Sequence, residues 1–372
     1  MKTNKQKTNK QALLNHKVLC SLLAAGFFCS WGAAAPVYAA VATQKVVNSD
    51  LAGGLETNSE SVKVTGGSRI TGTVKVINDA NYQTGAHGSA FSIQTEGPVI
   101  FDGDGDVEIR TYNDDSYAHT NAIKLHNDGA SLLVDKAGHS VTLALDAAGG
   151  QSTKYDEVAG IYLTNNNQNV VINADNVNFE NNGYNRGYGI WTGASAVDSI
   201  ITINGNANFS DDAAAKEAYA IRHDHGTTVI NGNTKITMVG AGGSGIRAIN
   251  GAVQFNGDTV IDLKGDVAYI DRNVPAFGIW NGATPYGVTP ITGAHIKLTG
   301  NTTITTTGAG SMAVVTELAG GTTEFFGDTK ITTGGDVGKW GRGSGTDIGA
   351  HGVYNKSGIT NFHGNLFVDT TG

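Results

Sequence analysis

One phrase returns along the second half of the chain and restricts its fold more than any other feature. It runs apolar residue, any residue, glycine, Asn or Asp, two further residues, apolar residue. It reads INGNANF from Ile203, INGNTKI from Ile230, FNGDTVI from Phe255, LTGNTTI from Leu298, FFGDTKI from Phe325 and FHGNLFV from Phe362. Looser copies stand upstream: FDGDGDVEI from Phe101, KAGHSVTL from Lys136 and INADNVNF from Ile172. A second phrase, small residue then apolar residue, precedes it at Gly160, Gly189, Ala220, Gly245, Gly278, Ala313 and Gly352. From Ile221 to Gly232, Ile246 to Gly257 and Val353 to Gly364 the distance is 11 residues each time. Longer insertions separate Ile190 from Gly205 and Ile279 from Gly300. Fixed spacing broken by occasional loops is the signature of a solenoid, in which one supersecondary unit is stacked on copies of itself.

The unit reads as strand, tight turn, strand. Alternating apolar residues such as Phe255 and Ile261 are expected to point inward. Gly257 supplies a special backbone conformation or a close approach. The Asn or Asp after it is expected to hydrogen-bond its own backbone and to tolerate a left-handed conformation. Thr and Val then restart a strand. With 52 glycines, 5 prolines and 40% apolar residues among 372, the chain is neither collagen-like nor too polar to fold. The fold class is therefore all-β, a right-handed parallel β-helix, or solenoid, of about nine to twelve coils. The expected division is a signal peptide over 1–39, an N-terminal cap over 40–66 to cover the first open sheet edge, and coils over 67–372 that break off in mid-rhythm, as a truncated array would.

The first 39 residues carry Lys2, Lys5, Lys7, Lys10 and Lys17, then the apolar run Val18–Trp31, then small residues with Val37 and Ala39 at cleavage-site positions. This is the pattern of an export signal. Both cysteines, Cys20 and Cys29, lie within it. Beyond residue 39 there remain 20 basic and 33 acidic residues, a net charge of −13. That balance opposes nucleic-acid binding, which needs a basic surface, and the lack of cysteine excludes thiol catalysis.

The extended signal and the cysteine-free Gly/Asn/Thr repeats with little proline resemble the passenger of a bacterial autotransporter, the adhesin-like type V secretion proteins, over residues 40–372. The resemblance implies secretion or display at the cell surface, β-helical folding, and a C-terminal β-barrel for the outer membrane that is not in this sequence. It implies a non-enzymatic function, adhesion or self-association, and as partners a host or bacterial surface glycan or protein or a second copy. No cofactor is expected. A β-helical carbohydrate-active enzyme, of the polysaccharide lyase or glycosidase kind, is the alternative.

Three clusters bear chemistry. Asp102, Asp104, Asp106 and Glu108 form an ordinary turn, a calcium site of hard oxygens, or a carboxylate pair. His223-Asp224-His225 is a surface turn or offers two metal ligands. Tyr184, Arg186, Tyr188, Trp191, Trp280 and Tyr286 are candidate ligand contacts, with rings on exposed loops available for stacking, or they form a packing ladder. Lys264-Gly265-Asp266 resembles an integrin-binding tripeptide, too short a match to carry weight. Insertions near 192–199 and 283–294 are the expected functional loops.

Overall fold

The repeated glycines are where one coil touches the next. A Cβ on Gly232 would lie 2.3 Å from the carbonyl oxygen of Gly205, and one on Gly257 would lie 2.5 Å from that of Gly232. Gly300, Gly327 and Gly364 repeat the contact, each against the glycine one coil below. None of these five has a positive φ, so close approach alone selects glycine there. The following Asn or Asp departs from its expected role. Its side chain bonds the neighbouring coil instead of its own backbone: the N–H of Asn233 donates to Asn206 Oδ1, that of Asp258 to Asn233 Oδ1, and that of Asn301 to Asp258 Oδ1. Positive φ among described non-glycine residues is confined to Asn167, Arg186 and Glu217.

The computed structural model describes residues 44–58, 60–78, 89–93, 97–113, 121–147, 158–270, 272–282 and 292–371. Among them the strands form long parallel sheets in the arrangement of a parallel β-solenoid. One coil illustrates the rest. Tyr219–His223 lies on a first face, Thr227–Ile230 on a second and Thr234–Met238 on a third. The chain then returns to the first face as Ser244–Ala248, paired parallel with Tyr219–His223. Among the described residues the first face holds eleven such strands. The second and third faces merge where the long strands Ala130–Ala147 and Asn169–Asn182 run through the corner between them.

Within the expected cap over 40–66, residues 44–58 and 60–66 carry strands that pair in parallel with one another and with the coils that follow. Gln44–Val47 pairs with Ser61–Val64, Leu51–Ala52 with Arg69–Thr71, and Leu55–Asn58 with Val74–Asn78. Residues 1–39 lie outside the described residues.

The core is a set of columns running through the coils. Ile172, Ile203, Ile230, Phe255, Leu298 and Phe325 pair in sequence along the second face, and all are fully buried. Ile236, Ile261, Ile304 and Ile331 do the same on the third. Burial of this kind contributes roughly 1.5–3 kcal/mol per side chain. Rings stack where they meet in a column, Phe179 on Phe209 at 4.5 Å and Phe325 on Phe362 at 4.8 Å. The small residues of the second phrase give these columns room: a Cβ on Gly189 would strike the Phe209 ring at 2.5 Å.

Candidate functional site

The first face is buried on both sides over its middle strands. Beside the central core, a second buried cluster contains Tyr188, Trp191, Tyr219, Phe277 and Trp280, with Trp340 and Tyr354 packed against it. It arises because one outward position of the first-face strands is filled by long flat or cationic groups. Strand pairing sets Tyr162, Trp191, Arg222, Arg247, Trp280, Val315 and Tyr354 in one column. Tyr162 stacks on Trp191 at 4.1 Å, the Arg222 guanidinium lies 4.6 Å from the Trp191 ring, and that of Arg247 lies 5.0 Å from Trp280. Burial lowers the pKa of Arg247, and the neighbouring Tyr219 opposes that shift. Cation–π contacts of desolvated groups contribute up to about 2 kcal/mol.

Two hairpins lie over this column. Ala268–Tyr269 pairs antiparallel with Asn273–Val274, and Gly338–Trp340 with Thr346–Ile348. Both leave the corner between the third and first faces, and they join each other through reciprocal backbone hydrogen bonds between Asn273 and Gly341. Trp340 packs edge-on against Phe277 at 5.5 Å and Trp280 at 6.1 Å.

The sequence candidates are thus redistributed. Tyr184, Tyr188, Trp191 and Trp280 are each at most 5% exposed, so the expectation of exposed rings is corrected. Trp280 is covered by Trp340 of the second hairpin, whereas Trp191 is packed by Tyr162 and Arg222 of neighbouring coils, and Tyr188 by Arg222. Tyr188, Trp191 and Trp280 come together in the outer cluster, whereas Tyr184 packs with Leu145 and Val158 elsewhere. Trp191 Nε1 donates to Asp224, and Trp280 Nε1 to Glu317 at 3.0 Å. Arg186 is paired with the buried Glu217 at 2.9 Å. Tyr286 lies outside the described residues.

The polar clusters resolve as structure. Asp102 is ion-paired with Arg69 and accepts from the Thr71 hydroxyl; the Arg69 hydrogen bond holds its carboxyl below the usual range. Nearby backbone carbonyls of Gly72, Asp102 and Gly103 converge on the buried Lys136 ammonium at 2.5–3.0 Å, where a cation site would otherwise have its oxygens. Asp106 accepts from the Ser140 N–H, and Glu108 pairs with Arg110. His223 is fully buried, with Nδ1 2.9 Å from the Thr192 hydroxyl and Nε2 3.0 Å from the Gly226 carbonyl. Burial pushes its pKa down to about 4. His225 contacts Asn250 instead. Among the described residues no three His, Cys, Asp or Glu are placed to hold a metal ion. Asp266 Oδ1 accepts from the Ala309 N–H one coil on, so the Lys264–Asp266 tripeptide is part of a turn ladder.

The open part of the first face is a groove of about 530 Å³ beside the second hairpin. Trp340, Tyr354, Glu317, Asp347, Thr346 and Lys356 are among its lining residues. Sequence reasoning passed over all six. One signal was present: Gly265-Asp266-Val267 and Gly335-Asp336-Val337 introduce the two hairpins with the same three residues. Comparison with family models, curated proteins and solved structures found no match to this chain.

Proposed function

We propose that this protein is an exported adhesive rod, a passenger of the autotransporter type, wound as a right-handed parallel β-helix and displayed at the cell surface or released. Its mechanism is display: the stacked coils are a rigid support, and recognition belongs to what the coils carry outward. It binds a surface glycan or protein, or a second copy of itself, without catalysis. One observation carries this reading. The corner ladders are Asn and Asp residues that join coil to coil, while partly open groups suited to recognition, Trp340, Tyr354, Glu317 and Lys356, line a groove on one outer face. Loops positioned by a rigid scaffold are the usual seat of binding.

The carbohydrate-active enzyme is supported by a single feature, the presence of Glu317 and Asp347 in one groove. Both acids are already engaged, Glu317 by the Trp280 N–H and Asp347 by Lys339. That favours orientation of a ligand over proton transfer. The test uses fluorescent beads coated with the purified protein, mixed together and layered on immobilised glycans and proteins. Clumping or retention that soluble protein competes away is expected. Beads that neither clump nor adhere would overturn the adhesive reading, and release of shortened glycan products would establish the enzyme instead.

A further inference from the structure

We propose that the groove between the second hairpin and the last two described coils binds a short neutral oligosaccharide; the assignment deepens the adhesive reading and rests on it. A sugar ring has an apolar C–H face and a polar rim of hydroxyls. Its site therefore needs a flat aromatic surface with hydrogen-bonding groups around it. Trp340 and Tyr354, both half-buried, supply aromatic surface. Trp340 is braced by Phe277 and Trp280, so little freedom remains to be lost when a ligand stacks on it. Tyr354 belongs to the strand that pairs with Val315, one coil beyond.

Around the rings stand Glu317 and Asp347 as acceptors and Lys356 as a donor. Glu317 is held by the Trp280 N–H, and a carboxylate has lone pairs left for hydroxyl groups after accepting one bond. Lys356 directly follows the strand His351–Asn355, and Glu317 directly follows its partner Met312–Thr316. Donor and acceptor thus sit on adjacent coils. An apolar ligand would strip water from these groups without replacing its hydrogen bonds, which is costly. An anionic ligand would meet Glu317 and Asp347, with Lys356 as the ammonium of the lining and Lys339 already paired to Asp347, on a chain that is acidic overall beyond residue 39. A neutral glycan satisfies both constraints. The volume of about 530 Å³ is in the range of small-molecule sites, ~300–1,000 Å³.

The experiment is titration calorimetry on the purified protein with lactose, cellotriose, mannotriose and N,N′-diacetylchitobiose, and with sialyllactose as an anionic counterpart. At least one neutral sugar is expected to bind and sialyllactose to bind more weakly than lactose. Tyr354→Ala and Glu317→Gln should each weaken binding about tenfold, the scale of one lost stacking or charge-assisted contact, with unchanged circular dichroism. The Gln variant keeps the shape of the side chain and an acceptor for Trp280, so its loss would not reflect misfolding. Binding by none of the neutral sugars, or binding that survives both substitutions, would overturn the assignment. The bead assay separates the two readings. Beads that adhere while no sugar binds leave the adhesive rod standing and remove this site; sugar binding without adhesion does the reverse.

Discussion

At the scale of single residues, the coil-to-coil glycines, the half-buried Asp211 and the buried His223 make the sharpest claims. Gly257→Ala would put a methyl 2.5 Å from the backbone oxygen of Gly232, in a short turn held between the paired strands Thr227–Ile230 and Thr234–Met238. We expect a loss of about 1–3 kcal/mol in urea unfolding. Gly349→Ala, with nothing within 4 Å and no positive φ, should be neutral or slightly stabilising. Equal effects at the two positions would refute the close-approach explanation. Asp211 tells a different story. Burial pushes its carboxyl up to about 7, although the Val239 and Gly240 N–H groups favour the ionised form. A raised carboxyl binds its proton more tightly in the fold than in the unfolded chain. Its contribution is present below about pH 3.8 and lost as pH rises through about 7. His223 runs the other way: depressed to about 4, it contributes fully above pH 6.5 and loses that contribution as pH falls through 4. The two slopes oppose each other between pH 4 and 6.5. Asp211→Asn should leave the His223 slope alone, so that the melting temperature climbs more steeply over that interval than in the parent. Superimposable pH profiles of parent and variant would show that Asp211 does not titrate as argued.

At the scale of elements, the turn phrase was legible as punctuation, and the ladder explains why. Each coil places the same residue over its predecessor, so a requirement for space or a hydrogen bond repeats at the sequence period. The phrase does not reveal that the Asn side chain reaches across coils, because bonding within a turn and between turns calls for the same residue. The hairpins were illegible for another reason. Their Tyr and Trp residues suit an exposed loop as well as a buried one, and only the element above decides which. This yields a prediction for the second hairpin. Replacing Val337–Gly349 by a Gly-Gly link should leave the β-sheet circular dichroism in place. It should expose Trp280, now covered by Trp340, and move tryptophan emission to longer wavelength. Emission that stays at short wavelength would mean that Trp280 owes its burial to something other than this hairpin.

At the scale of the whole molecule, stacked coils behave as a nearly one-dimensional array, each stabilised by the coil on either side. In the 372-residue chain the strands His351–Asn355, Ile359–Phe362 and Leu366–Thr371 have a described partner on one side, and Ile359, Leu366 and Val368 are more than a third exposed. Amide hydrogen exchange should therefore be fastest there and slowest in the middle coils around Thr227–Met238. Uniform protection along the array would contradict coil-by-coil stability. The sequence by itself determined that the chain repeats, where its turns fall and which columns enter the core. Those are local demands of strand alternation and of backbone contact between coils, and they recur at every copy. The tertiary structure alone decided that Tyr184, Tyr188, Trp191 and Trp280 are covered and that Lys136 occupies the carbonyl cluster near Asp102. It also decided that Glu317, Trp340 and Tyr354 meet in one groove. These facts depend on which insertion folds over which coil, and burial of a ring or a charge is set by what lies above it, a neighbour that sequence distance does not disclose.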